Sequence, residues 1–138
     1  MAVGNTEKQV QWSSSDSVSV SAAGNQTSDL AGLSATAIAR AVTLKADNAG
    51  TPTSGDTVDI YLLATCGDPD GSGSDEYPND DSDGDFLANL DTYAAPAGTA
   101  IATVVLPAGI KDAKLYAKNN AGSNSITVSA CINEKTVS

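Results

Sequence analysis

The carboxylates of this 138-residue chain crowd into one segment. It reads Asp68-Pro69-Asp70-Gly71-Ser72-Gly73-Ser74-Asp75-Glu76 and continues through Asp80-Asp81-Ser82-Asp83-Gly84-Asp85. Oxygen ligands at alternate positions, with a glycine to turn the chain, are what a hard cation such as calcium needs. Asp81, Asp83 and Asp85 have that spacing, and so do Asp68, Asp70 and Ser72. Neither run ends on the bidentate Glu of a helix-loop-helix calcium site. The twelfth position from Asp68 is Asn79, and from Asp81 it is Thr92. The preferred reading is therefore a solvated acidic surface loop, with calcium as the one cofactor the sequence makes room for.

Other chemistry fares worse. The chain has no His, so neither a Ser-His-Asp nor a Cys-His arrangement is available, and zinc is effectively excluded. A carboxylate pair hydrolyses glycosides only where an apolar wall raises one of the two pKa values, and every crowded Asp here lies in a polar loop. No GxxxxGK[ST] or GxGxxG motif is present. The expectation is a non-enzymatic protein that works by binding and assembly.

Contact residues are the next candidates. Lys114, Tyr116 and Lys118 share one strand face, and cations with Tyr suit interfaces, though an ordinary solvated face has the same look. Trp12, the single Trp, is either core or contact. Tyr77 and Tyr93 flank the acidic run and are placed to stack on a sugar or simply to pack the loop. Cys66 and Cys131 lie outside any CxxC pair; free thiols are the plainer reading and a disulfide stays open.

These residues need a scaffold, and the alternation of apolar side chains supplies one. Val18 and Val20 alternate with Ser, and Ile38, Arg40, Val42 and Leu44 share a face. Val58, Ile60, Leu62, Ala64 and Cys66 share another, opposite Thr57, Asp59, Tyr61, Leu63 and Thr65. Leu30 and Leu33 are expected to pack inward from a short turn or loop, and residues 86–90 read as a brief strand or helical turn. Residues 101–106 make an apolar strand, and the segments around 113–118 and 126–132 read as a β-hairpin. Seven or eight short strands between Gly, Pro and Asn turns imply an all-β antiparallel sandwich, jelly-roll or immunoglobulin-like, with one long acidic loop. Residues 1–15 form an N-terminal arm or edge strand, and 16–138 a single domain.

Charge narrows the partners. The formal net charge is −10, and no Lys or Arg occurs between Lys45 and Lys111, where most of the acids lie. Such a chain repels phosphate backbones, so nucleic acid is not expected. No run is long and apolar enough to cross a bilayer, and Met1–Glu7 lacks the pattern of a secretory signal, so membrane association is not expected and cytoplasmic synthesis is.

The stretches Ala41-Val42-Thr43-Leu44-Lys45-Ala46-Asp47-Asn48 and Asp56-Thr57-Val58-Asp59-Ile60-Tyr61-Leu62-Leu63-Ala64-Thr65, with Leu115–Asn120 and Ile126–Ala130, give the chain a recognisable cadence. It resembles the small β-sandwich virion structural proteins of tailed bacteriophages, particularly those that decorate heads. That resemblance implies a capsid decoration (cement) protein, made in the host cytoplasm and carried in the virion. It further implies binding to the major capsid protein or other virion proteins, and a homo-oligomer, a trimer among the options. The alternative is a carbohydrate- or receptor-binding module of a phage tail or fibre, with calcium shaping the acidic loop.

Overall fold

A computed structural model of the chain describes residues 2–137; Met1 and Ser138, which bound the expected arm and domain, lie outside them. The period-two pattern builds nine strands: β1 (Val3–Gln9), β2 (Ser17–Val20), β3 (Asn25–Thr27), β4 (Ala37–Asn48), β5 (Thr57–Thr65), β6 (Asp85–Asp91), β7 (Thr99–Leu106), β8 (Asp112–Asn119) and β9 (Ile126–Val137). One 3-10 turn, Pro96–Gly98, precedes β7.

The pairing has a simple origin. β5 pairs with β6, β4 with β7, β3 with β8 and β2 with β9, all antiparallel. Nested pairing of this kind is one long hairpin. Rolling that hairpin over itself adds the β5–β8 and β4–β9 ladders and separates two sheets. One has the order β1-β9-β4-β7, with β2 also on β9, and the other the order β3-β8-β5-β6. This is a jelly roll, and the immunoglobulin-like alternative is set aside. The hairpin expected between β8 and β9 does not form, because the two strands lie in different sheets. Asn119 makes the crossing: its side chain donates to the carbonyls of Val20 and Asn124 at 3.0 Å each and accepts from the Ala121 N–H at 2.8 Å. A residue that binds three separated backbone groups fastens a corner, whereas a hairpin would need only a local turn.

Between the sheets lie Val20, Val42, Leu44, Ile126, Val128 and Ile132 from one side and Val58, Ile60, Leu62, Leu90 and Leu115 from the other. Each such Leu or Ile, fully buried, contributes about 1.5–3 kcal/mol. Trp12 joins this core at 2% exposure, so it is not a contact residue. It sits where β1 gives way to β2 along β9, in a tight turn closed by the Trp12–Ser15 bridge with Ser13 and Ser14 at positive φ. The expected arm is thus the first half of an interrupted edge strand. Two expectations fail at the margins. Leu30 stays exposed while Leu33 packs on the core, and a register shift between Ala37 and Ala39 turns Ile38 outward from the face of Arg40 and Val42.

The two ends of β4 anchor polar knots. Near its start, the buried Arg40 guanidinium donates through Nε to Glu134 Oε2 at 2.9 Å, through Nη2 to Ser34 O at 2.7 Å and through Nη1 to Ala108 O at 2.6 Å. The Ser34 N–H reaches the same Glu134 oxygen at 2.9 Å, and Lys8 Nζ lies 3.1 Å from Oε1 while also donating to the Gly32 carbonyl. Burial opposes ionisation of Glu134. Arg40, the Ser34 N–H and Lys8 outweigh it, so the carboxyl lies below its ordinary pKa. At the far end, Asp56 Oδ2 accepts from Thr53 N, Asn48 Nδ2 and Asn124 Nδ2 at 2.9–3.1 Å, tying the β4–β5 connection to the β8–β9 crossing.

Candidate functional site

The acidic segment is not a free loop. Between β5 and β6 it folds down over the outer face of the β3-β8-β5-β6 sheet and is held by the lysines on and beside β8. Asp81 meets Lys118 at 2.9 Å, Asp75 meets Lys111 at 2.8 Å, and Lys114 Nζ stands 5.2 Å from the Tyr77 ring centroid. Tyr116 lies beneath at 6% exposure, edge-on to Tyr61, which is in turn edge-on to Phe86. Leu63, on the face expected to be polar, is buried as well. These ion pairs stand in water and are screened by it, so each contributes little. The apolar contact of Tyr61, Leu63 and Tyr116 supplies the larger share.

This placement corrects two expectations. The Lys114, Tyr116 and Lys118 strip is not open to a partner, since the chain's own loop occupies it. The loop in turn is not solvated throughout: residues 69–74 are exposed as expected, but Asp75, Tyr77 and Asp81 pin it to the sheet. The reason is electrostatic and legible afterwards: a lysine-bearing strand face and a segment carrying acids but no base satisfy each other. Proximity to Asp81 and Asp75 lifts the Lys118 and Lys111 pKa values, through the hydrogen bond first and the carboxylate charge second.

The expected calcium ligands divide. Asp81, Asp83 and Asp85 do not converge: Asp81 is taken by Lys118, Asp83 accepts the N–H groups of Asn79 and Asp80 at 2.9 and 3.0 Å, and Asp85 opens β6. Asp68 and Asp70 do converge, joined by Glu76, with one oxygen from each within 4.8 Å of the others, and Ser72 lies against them, its Oγ 3.4 Å from Asp68 Oδ1. Glu76 reaches them because its N–H bonds the Gly67 carbonyl at 3.1 Å, closing the loop on itself. Ligand spacing along the chain gave no hint of that closure. The fit to calcium is partial. Binding through one oxygen each, three carboxylates supply about half or less of the roughly six to eight oxygens the ion takes. Asp68 already accepts from Ser72 N and Gly73 N at 3.1 and 2.7 Å.

Cys66 and Cys131 are free, the first just after β5 and the second on the outer face of the opposite sheet. Burial raises the Cys131 pKa, with Glu7 adding to the effect. Between residues 29–36, the β7–β8 turn and Tyr77 runs an open groove of about 620 Å³ lined by Leu30, Leu33 and Ile110. Its charged members Arg40, Asp75, Lys111 and Asp112 are all engaged within the chain.

Sequence reasoning passed over the outer face of the β1-β9-β4-β7 sheet. Strand register places Ala39, Ala41, Thr43 and Lys45 of β4 beside Lys135, Asn133, Cys131 and Ser129 of β9, and beside Val105, Thr103 and Ile101 of β7. Most of these side chains are short, so the surface is flat, and Thr43 and Thr103 join their hydroxyls at 3.0 Å across it. At its margin Ile101 is 64% and Val105 80% exposed.

No family model and no curated protein matches this chain. Among solved structures it is similar to FLHE, at 9% identity and a TM-score of 0.44, over 100% of both chains. It is similar to part of a 4-O-methyl-alpha-glucuronidase with specificity for decorated arabinogalactans, at 15% identity and a TM-score of 0.40, over 94% of this chain and 17% of that one. It is also similar to a chain in the acid-stable capsid of Helicobacter pylori bacteriophage KHP30, at 15% identity and a TM-score of 0.38, over 98% and 95% of the two chains. Likeness at this level says nothing of what the chain does.

Proposed function

We propose that this chain is a non-enzymatic structural protein of a bacteriophage virion, a decoration protein that docks on the head shell through the outer face of the β1-β9-β4-β7 sheet. What carries the reading is the contrast between the two outer faces. One is partly covered by the chain's own acidic loop, pinned through Lys111, Lys114 and Lys118. The other is flat, built largely of Ala, Thr, Ser and Asn, and bare. A flat face of short side chains lets another backbone approach closely at little cost in side-chain entropy. The partner in this reading is the major capsid protein, and binding only the assembled shell stabilises it by linkage. The acidic loop then faces away, where a net charge of −10 discourages association off the shell.

Co-sedimentation with undecorated capsids of the encoding phage tests this. Saturable binding is expected, and Thr43→Arg, which sets a long cation in the middle of the face, should abolish it without changing the melting temperature. A folded chain that never sediments with such capsids refutes the reading.

The convergence of Asp68, Asp70 and Glu76 supports a second reading, a calcium-dependent carbohydrate- or receptor-binding module of a tail or fibre. Tyr77 is engaged with Lys114, and Tyr93, though exposed, follows β6 at the Thr57 end of β5, the opposite end from this cluster, so a sugar held there would have to be bound without either ring. Calcium should then raise the melting temperature by several degrees over chelator, about 1 kcal/mol of linkage or more. An unchanged melt removes that reading.

A further inference from the structure

The sandwich has four sheet edges, and they are not treated alike. An open edge presents unpaired N–H and C=O groups and invites another strand, so proteins shorten, bulge, break or charge their edges. β3 has only three residues. The β1/β2 edge is interrupted at Trp12 and carries Glu7, Lys8 and Asp16. β6 begins and ends on Asp and bulges at Leu87, where the register with β5 shifts between Ile60 and Tyr61. β7 has none of these devices. It is eight residues long, pairs with β4 without a register shift, and reads Thr-Ala-Ile-Ala-Thr-Val-Val-Leu with no charge and no Pro. It also holds the two most exposed large apolar side chains among the described residues, Ile101 and Val105.

We infer that β7 is an interface, and that its occupant is β7 of a second copy of this chain, paired antiparallel about a two-fold axis at Thr103. The strand is close to self-complementary in that register. Thr103 faces its own counterpart, and Ile101 lies opposite Val105 of the second copy, twice by symmetry. Ala102 lies opposite Val104 and Ala100 opposite Leu106, small against larger. The pairing withdraws Ile101 and Val105 from water and satisfies the free edge. It also joins the two bare faces into one continuous sheet of twice the width. Acidic repulsion would oppose many other contacts between copies, and β7 lies within a stretch that carries no acid, from Thr92 to Lys111. One strand pair buries less than the roughly 1,200 Å² of a standard interface, so a dissociation constant on the order of micromolar is expected, tightening as salt screens the net charge.

The inference does not rest on shell binding, because its test uses the purified full chain alone. Sedimentation velocity over a concentration series should show a monomer–dimer equilibrium. Val105→Lys should weaken the dimer at least about tenfold, since the change enters the interface twice, and leave the melt of the monomer unaltered. In a Cys66→Ser/Cys131→Ser background, Thr103→Cys should give a disulfide-linked dimer on mild oxidation. Ile101→Cys alone should not, but mixed with Val105→Cys it should. A chain monomeric up to concentrations on the order of 1 mM overturns the inference. So does a dimer that Val105→Lys leaves intact, or one that Thr103→Cys fails to cross-link.

Discussion

Replacing Glu134 by Gln tests how one end of the sandwich is held. The Glu134 side chain is fully buried and that of Arg40 is 2% exposed, so their pair is shielded from water. Removing the charge leaves a buried guanidinium without its counterion, which costs about 3–5 kcal/mol when a buried pair is broken from one side. Arg40 keeps the carbonyls of Ser34, Pro107 and Ala108 as acceptors, and the new amide oxygen can still accept from the Ser34 N–H. The lower end, about 3 kcal/mol, is therefore expected. For a domain of this size that is a fall in melting temperature of about 10 °C. Urea unfolding followed by Trp12 fluorescence is the assay, since the single, buried Trp becomes solvated when the chain opens. Arg40→Met completes a double-mutant cycle, and a coupling of about 1 kcal/mol or more is expected between the two sites. A loss below about 1 kcal/mol for Glu134→Gln, or strict additivity in the cycle, would show that the carbonyls rather than the ion pair hold Arg40.

Three further outcomes follow from the same structure. The Asp56 carboxyl is held below its ordinary value of 3.8, chiefly by the Thr53 N–H, with Asn124 and Asn48 adding to it against desolvation. Its contribution is present above the unfolded pKa and lost as pH falls through the lower folded one, so Asp56→Asn should flatten the acid limb of a melting-temperature–pH profile. Gly84→Ala would set a Cβ 2.7 Å from Leu63 Cδ2 and 2.9 Å from the Asp80 carbonyl oxygen; about 1–3 kcal/mol of destabilisation and faster proteolysis between 67 and 84 are expected, read by urea melts and limited digestion. Cys66 is exposed and should react with a thiol reagent well before Cys131, whose pKa is raised by burial; equal rates in a timed labelling experiment would contradict that placement.

The layered all-β class was legible because alternation leaves no other way to bury Val42, Leu44, Val58, Ile60, Val128 and Ile132. Even the Ala-rich stretch of β4, tolerant of helix by propensity, follows the period of its neighbours. The acidic character of one lobe was also plain, as was the want of a base among its crowded carboxylates. The choice between jelly roll and immunoglobulin-like order was not legible. Alternation states which side chains point inward but not which strand lies alongside, so β8 and β9 passed for a hairpin although Asn119 carries the chain from one sheet to the other.

The periodic burial of small apolar residues and the uneven distribution of charge are local properties, and residue order alone sets them. Which faces remain available is settled only when the sheets pack. The long hairpin rolls up so that the lysines of β8 come under the acidic segment, which partly covers one sheet, and so that β7 ends the other. Availability depends on contacts between residues distant along the chain, such as Asp81 with Lys118 or Arg40 with Glu134, and those pairings exist only after the sheets have packed.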